Sequence, residues 1–495
     1  MWFFISIYII KQQGENLPIL LKKDLTWKEM APIGAKELEN PAIFIETDIV
    51  RQYPLKESAS HVIGYVGIDK QMQDKKRYRF LYKTPDFRIG KSGIERFYNE
   101  RLTGEVGELV QMVNATGKVS ESFKPQKKEA IAGEDLKLTI DARLQKYAGE
   151  AFAEKSGSIT IMDCHTGEIL CSSSFPQYDL SRFEGKIDSS YYGDLITDSY
   201  KPLLNKSIEG LYSPGSTFKI LVALAGLKEG VITPKTIVNC KGHLQVGNHK
   251  FHCWKKHGKV NLVKAIEGSC DTYFYKLGLK LGIDKIHAMA TKLGLGVKTG
   301  ISLVGEKKGD VSNRKLKAKI LGEKWVLGDT VQASIGQGFT LTTPLQLAVM
   351  IARLVNGGKK VLPSLIPNEK NNFDDLDFNP THIEILKEGM FDVINGKYGT
   401  ARGSVFDVNG IKMAGKTGTT QVRRISKQER RTGVIHQDAL PWHLRHHALF
   451  VGYAPTDNPR FVASVVIEHG KGGSFAGRIA SKMLKKTIEL YGRTL

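Results

Sequence analysis

The sequence predicts an α+β protein whose larger domain is one antiparallel sheet packed against a helical region. Two predicted hairpins support this, one over residues 158–170 and the other over residues 448–467. Between them most periodic segments have helical spacing, so strands from both ends of the domain are expected to join in one sheet. At 495 residues the chain is too long for a single core. We therefore expect a smaller domain over residues 1–130 and a larger one over residues 131–495.

The smaller domain shows short extended runs separated by polar breaks. Its most patterned pieces lie at 51–54 and 61–67, and a helix-like stretch begins at 91–98 and ends near residue 104. The charged segment 124–129 then separates this domain from the rest of the chain. None of these patterns is typical of a catalytic site.

The larger domain is expected to begin with a strand at 136–140, where polar and apolar residues alternate, and a helix at 142–152. Thr343 and Pro344 have the residue types of an N-cap and a first helical position, which predicts a helix over 344–354. The other predicted elements are the strands 158–162, 168–170, 448–453 and 461–467 and a closing helix at 479–491.

Composition indicates a folded and strongly basic chain. Apolar residues make up 41% of it and aromatic residues 9%, which are values of globular proteins. The net charge of +21 favours a membrane surface, an acidic cell-wall polymer or nucleic acid as surroundings, although a lysine-rich solvated surface gives the same count. No nucleic-acid-binding motif is present, so we expect no nucleic-acid partner. Five cysteines, an odd number, argue against a dedicated disulfide framework.

Residues 1–10 form an apolar stretch that Lys11 ends. It has about half of the roughly 20 residues that a membrane-spanning helix needs. It also lacks the basic start and the small-residue cleavage site of a signal peptide. Two expectations stay open: a protein that is soluble inside the cell, or one whose membrane anchor precedes the start of this chain.

The segment 212–219, Tyr-Ser-Pro-Gly-Ser-Thr-Phe-Lys, leads into an apolar run at 220–227. Ser216 and Lys219 are three residues apart, so a helix that begins near the serine would bring a hydroxyl and an amine onto one face. Apolar residues on nearly all sides predict that this helix is buried. Burial disfavours the charged form of Lys219, which makes it a candidate proton acceptor for Ser216. The alternative is an ordinary helix start with the serine as N-cap.

Two further motifs supply what an acyl-transfer site also needs, namely a second proton-handling group and an anchor for the substrate. Lys416, Thr417, Gly418 and Thr419 combine one cation, two hydroxyls and a small residue, which suits a substrate carboxylate. Ser269 lies in a predicted turn between two helical stretches, where its hydroxyl can face a cleft.

Both short motifs occur twice in the chain. The segment 312–315 also fits Ser-x-x-Lys, but its neighbours are polar and charged, so we interpret it as a solvated surface turn. Lys-Thr-Gly recurs at 298–300 in a glycine-spaced turn, which we interpret as a loop because its flanks offer no strand.

The order and intervals of Ser-x-x-Lys, Ser-x-Asp and Lys-Thr-Gly resemble those of the penicillin-recognising serine transpeptidases. Most of the chain is similar to the penicillin-binding protein 2 family, the class B elongation enzymes of rod-shaped bacteria. The resemblance implies a penicillin-binding/β-lactamase-like transpeptidase domain preceded by an N-terminally shortened pedestal domain. The matching segments are 51–67 and 91–104 in the pedestal, 212–219 at the nucleophile motif, and 269–275, 336–338 and 342–344.

The resemblance implies a catalytic role for four residues. Ser216 would attack the carbonyl of a D-alanyl-D-alanine stem peptide and release the terminal D-alanine, with Lys219 as general base. Ser269 would pass the proton to the leaving amine, and Lys416 would complete this network. An amine of a neighbouring strand would then resolve the acyl-enzyme into a cross-link, whereas β-lactams would trap it.

Substrate binding is implied for a second set of residues. Thr417, Gly418 and Thr419 would line the substrate, with the two hydroxyls on its terminal carboxylate. The backbone N–H groups of Ser216 and Thr419 would form the oxyanion hole. Asp271, where the wider superfamily usually has asparagine, is also assigned to substrate binding.

The resemblance further implies a role in cell-wall elongation and rod-shape maintenance. The expected partners are peptidoglycan stem peptides, β-lactams, a membrane glycosyltransferase of the SEDS family (RodA type) and other elongation-complex proteins. The expected location is the bacterial inner membrane, with the catalytic domain in the periplasm. A noncatalytic wall-binding scaffold of the same fold stays open as an alternative, as does a D,D-carboxypeptidase or β-lactamase.

A separate group of possible metal ligands, Cys240, Cys253, His257 and Cys270, has the spacing C-x12-C-x3-H-x12-C. Three thiolates and one imidazole suit tetrahedral zinc. Members of the resembled family place a zinc site in this region. We therefore expect a structural zinc ion that braces the second motif, because Cys270 adjoins Ser269. A disulfide between the first two cysteines, or unrelated buried thiols, are the alternatives.

Overall fold

The structure, a computed structural model, divides the chain into two compact units. One comprises residues 1–136 with 179–193, and the other residues 137–178 with 194–495. The segment 179–193, which the sequence prediction gave to the larger domain, packs with the first unit. The described residues are 3–10, 18–22, 25–37, 43–49, 51–68, 87–105, 107–110, 112, 124, 126–153, 155–184, 187–369, 372–423 and 425–492.

The first unit begins with a small antiparallel sheet. Its three strands, β1 (Phe3–Ile10), β2 (Pro18–Lys22) and β3 (Ile43–Ile49), are arranged in the order β2–β1–β3, and helix α1 (Trp27–Glu37) connects the last two. The apolar start of the chain is therefore a strand from Phe3 to Ile10 that pairs on both sides. No helix within the described ranges is long and apolar enough to cross a membrane.

Among its described residues, the rest of the first unit has short helices and two antiparallel strand pairs: Val66–Ile68 with Arg88–Gly90, and Glu108–Val110 with Gln126–Lys128. The helix-like stretch predicted from residue 91 is confirmed as two short helices, and Gly104, with a φ of +71°, follows the second. These elements are α2 (Ser60–Ile63), β4 (Val66–Ile68), β5 (Arg88–Gly90), α3 (Gly93–Phe97), α4 (Asn99–Thr103), β6 (Glu108–Val110) and β7 (Gln126–Lys128).

The second unit holds the larger set of elements. Its strands are β8 (Gly157–Asp163), β9 (Ile169–Phe175), β10 (Val238–Cys240), β11 (His243–Val246), β12 (His249–His252), β13 (Gly258–Val260), β14 (Ala414–Thr420), β15 (His447–Ala454) and β16 (Phe461–Ile467). The helices of the remaining chain are α5 (Ala142–Phe152), α6 (Ser189–Thr197), α7 (Lys219–Lys228), α8 (Leu262–Glu267), α9 (Asp271–Leu281), α10 (Ile283–Lys292), α11 (Arg314–Leu321), α12 (Leu327–Ala333), α13 (Pro344–Val355), α14 (Pro380–Asn395), α15 (Lys427–Thr432) and α16 (Gly473–Tyr491).

One five-stranded antiparallel sheet organises this unit, in the order β14–β15–β16–β8–β9. The two hairpins that the sequence predicts are therefore joined, because β16 pairs with β8 and Val465 lies opposite Ile159. Every residue of β8, β9 and β16 is buried. Helices α5 and α16 pack together against the sheet, and α13 packs against its central strands. The prediction of one sheet assembled from both ends of the domain is confirmed.

The predicted helices are confirmed, including the closing helix 479–491 within α16, whereas one predicted strand is wrong. Helix α5 spans residues 142–152 as predicted, and α13 begins at Pro344 with Thr343 as its N-cap. Residues 136–140 form no strand: Thr139 donates its backbone N–H to the carbonyl of Leu365 and its hydroxyl to that of Ile169. Sequence alternation alone does not show whether a neighbouring strand is available for pairing.

Helix α7 lies at the centre of the helical region and contacts α9, α10 and α14. All of its side chains over residues 219–227 are buried, as the apolar pattern predicts. A 3-10 turn, Gly215–Phe218, leads directly into it. Ser216 therefore lies just before the N-terminal end of a helix that is buried in the core.

Candidate active site

Ser216 lies in the 3-10 turn, and Lys219 opens α7. Side chains three residues apart eclipse each other in a 3-10 turn, so these two point to the same side. Ser216 is half-buried, whereas Lys219 is fully buried. A substrate can therefore reach the hydroxyl while the amine stays out of bulk water.

Contacts on two sides hold the turn that carries Ser216. The backbone N–H of Gly215 donates to the carbonyl of Gly336 at 3.0 Å. Gly336 has a φ of +70°, and a Cβ there would lie 2.4 Å from the backbone oxygen of Gly215, so the close approach requires glycine. On the other side, the hydroxyl of Thr420 donates to the carbonyl of Ser213 at 2.6 Å. Strand β14 therefore lies directly beside the turn.

The amine of Lys219 is held by the second motif. Its Nζ donates to the backbone oxygen of Ser269 at 2.9 Å, to Ser269 Oγ at 3.2 Å and to Asp271 Oδ1 at 2.6 Å. Ser269 has a φ of +54°, a left-handed conformation that costs a non-glycine residue roughly 1–2 kcal/mol. Burial raises the pKa of Asp271, and the charge of Lys219 opposes that shift. The family resemblance implied a substrate contact for Asp271, and no sequence pattern predicted its ion pair with Lys219.

Lys416 lies on β14 opposite Val451 and is fully buried. Burial first, and then the charge of Lys219, hold the pKa of Lys416 well below its usual range, while Asp271 opposes the shift. Its Nζ donates to the carbonyl of Thr417 at 3.2 Å. Two lysines and one carboxylate therefore share one buried environment. Within the described residues, no hydrogen bond joins Lys416 directly to the serines of the first two motifs.

The three residues after this lysine differ in their exposure. Thr417 is 7% exposed, and its Oγ1 lies 2.6 Å from Oγ1 of Thr400. Thr419 is exposed. A Cβ on Gly418 would lie 2.9 Å from the backbone oxygen of Pro214, so this glycine allows the strand to approach the nucleophile turn. The hydroxyl oxygen of Thr419 accepts the backbone N–H of Gly473 at 3.2 Å.

The second copies of the two motifs do not form comparable sites. Residues 298–300 form a loop, as predicted. The interpretation of 312–315 as a solvated turn is wrong, because Ser312 is buried with its hydroxyl 2.8 Å from that of Thr340. The neighbouring Asn313 caps α11, which the polar sequence had not suggested.

The four residues predicted to bind a metal converge. The sulfur atoms of Cys240, Cys253 and Cys270 and a ring nitrogen of His257 all lie within 4.8 Å of one another. The first two sulfurs lie 3.6 and 3.5 Å from Nδ1 of His257. Tetrahedral zinc at its usual bond lengths would hold sulfur and nitrogen about 3.6 Å apart. The five cysteines are free thiols, so the disulfide alternative is not formed.

This cluster is connected to the second motif through two residues of the loop before β13. Nε2 of His257 donates to the carbonyl of Gly268 at 2.9 Å, which leaves Nδ1 available for a metal. The indole N–H of Trp254 donates to the same carbonyl at 3.1 Å, and its backbone N–H donates to Asp271 Oδ2 at 3.3 Å. Hydrogen bonding from Cys270 lowers the pKa of the Cys253 thiol, which favours the thiolate that binds metals.

A group of buried polar side chains next to the turn of Ser216 was not predicted from the sequence. The phenol of Tyr212 donates to Glu468 Oε1 at 2.8 Å, and Lys206 Nζ lies 4.0 Å from the other oxygen of that carboxylate. Lys206 is 1% exposed and also donates to the carbonyl of Phe175 at 2.8 Å. These residues belong to no short motif and are distant in the sequence, so no sequence signal connects them.

Comparisons with known proteins agree with this architecture. Residues 157–489 match the penicillin binding protein transpeptidase domain, and residues 7–138 match the penicillin-binding protein dimerisation domain. Peptidoglycan D,D-transpeptidase MrdA of Haemophilus influenzae is 35% identical, over 96% of this chain and 74% of its own length. MrdA of Acinetobacter baumannii is 36% identical, over 95% of this chain and 71% of its own length.

Solved structures are similar over nearly the whole chain. The penicillin-binding protein PBP2 of Helicobacter pylori, in complex with MreC, has a TM-score of 0.86 and 33% identity, covering 99% of this chain and 94% of that one. PBP2 of Pseudomonas aeruginosa, in complex with WCK 5153, has a TM-score of 0.75 and 35% identity, covering 90% of this chain and 93% of that one. This chain belongs to the penicillin-binding protein 2 family of peptidoglycan D,D-transpeptidases.

Proposed function

We propose that Ser216 forms the acyl-enzyme through which this chain cross-links peptidoglycan stem peptides during cell-wall elongation. As a member of its family, the protein is a serine acyl-transfer transpeptidase. The residue assignment is supported by one observation: the turn of Ser216 lies beside β14, and the buried amine of Lys219 contacts Ser269 and Asp271.

Acylation starts when Oγ of Ser216 adds to the carbonyl carbon of the penultimate D-alanine. Lys219 in its neutral form takes the proton of that hydroxyl. Burial and the charge of Lys219 hold the pKa of Lys416 well below its usual range, so the second amine of the site loses its proton readily. Ser269, 3.2 Å from the Lys219 amine, donates a proton to the leaving nitrogen and regains one from Lys219. The C–N bond then breaks and D-alanine leaves.

Strand β14 positions the substrate for this attack. Thr417 and Thr419 offer hydroxyl hydrogens to the terminal carboxylate, and the backbone N–H groups of Ser216 and Thr419 stabilise the oxyanion. In the second half of the reaction an amine of a neighbouring stem peptide attacks the ester carbon and releases Ser216. A β-lactam acylates the same serine but keeps its leaving nitrogen tethered.

A fluorescent penicillin tests this proposal. We expect one covalent adduct per chain, located by mass spectrometry on the tryptic peptide 207–219, which contains Ser216. Absence of an adduct would favour a noncatalytic scaffold, and an adduct on another peptide would overturn the assignment of Ser216. Adding a donor peptide with an acceptor amine then separates a transpeptidase from a carboxypeptidase, because only the former yields mainly the cross-linked product.

Solved structures of related proteins in complexes support the proposed setting. One structural relative is PBP2 with MreC, and another, 26% identical with a TM-score of 0.77, comes from a peptidoglycan synthase complex that coordinates polymerization and crosslinking. We propose that this protein works with elongation-complex proteins that include a RodA-type SEDS glycosyltransferase, at the inner membrane with its catalytic unit in the periplasm. Failure of a tagged glycosyltransferase to co-purify with the protein from membranes would contradict this partner.

We also propose that Cys240, Cys253, His257 and Cys270 hold one structural zinc ion. The sulfur-to-nitrogen distances and the mixed thiolate and imidazole donors support this choice. When bound, the ion cross-links the β10–β13 region to the start of α9 and takes no part in acyl transfer. Cys270 would then fix the backbone next to Ser269.

We predict about one equivalent of zinc in the purified protein, and a Cys253→Ser variant that loses most of it and melts at a lower temperature. Metal analysis and thermal unfolding measure both effects. Cys171→Ser is the matched control, because Cys171 is a buried thiol on β9 outside the cluster. The Cys171→Ser protein should contain as much zinc as the unsubstituted protein. Less than about half an equivalent in the unsubstituted protein would reject the proposal.

A further inference from the structure

Two threonine hydroxyls meet beside the proposed carboxylate anchor. Oγ1 of Thr400, in the loop after α14, lies 2.6 Å from Oγ1 of Thr417 on β14. This separation is at the short end of the range for hydroxyl hydrogen bonds. Thr400 is half-buried, and the sequence analysis had given it no role. In the unliganded protein either hydroxyl can be the donor.

Substrate binding removes that freedom. A threonine hydroxyl has one hydrogen to donate and two lone pairs that accept, and an ionised carboxylate only accepts. If Thr417 binds the terminal carboxylate, as the proposed function requires, its single hydrogen must point to the substrate. The hydrogen bond between the threonines must then run from Thr400 to Thr417.

We infer that Thr400 is a positioning residue that donates its hydroxyl hydrogen to Thr417 and thereby directs the hydrogen of Thr417 toward the substrate carboxylate. In the opposite arrangement Thr417 would donate to Thr400 and turn its lone pairs toward a negative charge. A hydroxyl that accepts a hydrogen bond is also polarised into a stronger donor. The two threonines therefore favour acyl-donor substrates that carry a free carboxylate.

The loop that carries Thr400 is fixed on both sides of it. The backbone N–H of Ala401 donates to the carbonyl of Val393 in α14 at 2.9 Å. The backbone N–H of Tyr398 donates to the carboxylate of Glu267 at 2.9 Å, and Glu267 is 1% exposed. Thr400 is thus held in place before substrate arrives, which is the condition for a positioning role.

The inference is tested by removing the Thr400 hydroxyl while keeping the shape of the side chain. Acylation rate constants are measured for a penicillin with its free carboxylate and for the methyl ester of the same penicillin. We expect Thr400→Val to acylate about 3–10-fold more slowly with the acid and at an unchanged rate with the ester. Thr400→Ser, which restores the hydroxyl, should recover the rate with the acid.

Three results would overturn the inference: an equal loss with both compounds, no loss with either, or no recovery in Thr400→Ser. Thr417→Val separates this failure from that of the proposed function. If Thr417→Val selectively slows the acid and Thr400→Val does not, only the role of Thr400 is wrong. If Thr417→Val shows no selectivity, Thr417 is not the anchor and both assignments fail. Thermal unfolding confirms that each variant is folded. If Thr400→Val does not fold, Thr400→Ala is used in its place.

Discussion

A Ser216→Ala variant is expected to form no covalent adduct with a fluorescent penicillin. The substitution removes the attacking oxygen while the surrounding turn stays in place. The contacts that hold the turn use the backbone of Gly215 and Ser213 together with Gly336 and the side chain of Thr420, and none of them involves the Ser216 hydroxyl. We therefore expect an unchanged melting temperature together with a complete loss of gel fluorescence and of the mass shift.

Ser213→Ala is the matched control for this experiment. Ser213 belongs to the same turn and the same tryptic peptide, and its contact with Thr420 is made through its backbone carbonyl. It should still be labelled at Ser216. Labelling that persists in Ser216→Ala would end the acyl-enzyme assignment, whatever the behaviour of the control.

The second large effect is expected for Lys219→Ala. Loss of a general base typically slows a reaction by about 10²–10⁴-fold, and we expect a decrease of this size in the penicillin acylation rate. Stopped-flow or time-resolved mass spectrometry measures it. Lys315→Ala is the control, because this exposed lysine ends the second Ser-x-x-Lys segment and should have no effect. A Lys219→Ala rate within tenfold of the unsubstituted protein would exclude Lys219 as the base.

Loss of activity in Lys219→Ala has to be separated from loss of stability. Removing the amine leaves the carboxylate of Asp271 buried without its 2.6 Å partner, so the melting temperature should fall. Adding Asp271→Asn removes that charge and should restore part of the stability. Acylation should stay slow in the double variant, because the base is still missing.

Sequence patterns predicted the fold where local signals agreed. Both hairpins, α5 and α13 were identified from periodicity and capping residues, and a single sheet was predicted because strands lie at both ends of the domain with helices between them. The prediction of a strand at 136–140 was wrong because the alternation of polar and apolar residues does not show whether a neighbouring strand is available for pairing. Residues 179–193 were predicted to belong to the larger domain but pack with the first unit. Their position depends on tertiary packing, which no local sequence pattern encodes.

The spacing of residues within short motifs likewise identified side chains that the structure brings together. Ser216 and Lys219 lie together at a turn, and the four residues predicted to bind zinc converge. The pairing of Lys219 with Asp271 spans 52 residues, and the contact of Thr400 with Thr417 spans 17. Such contacts are created by the way helices and strands pack, so only the three-dimensional arrangement could disclose them.

The buried Lys416 has a consequence for the fold itself. In the unfolded chain this lysine titrates near its usual value of 10.5, whereas in the folded domain its pKa lies well below that. The unfolded state therefore binds more protons between these two values, so folding stability rises with pH across that window and falls on acidification. An apolar side chain at this position of β14 would fold with less penalty. The domain thus gives up some thermal stability in order to keep a titratable nitrogen in the buried surroundings of Lys219 and Asp271.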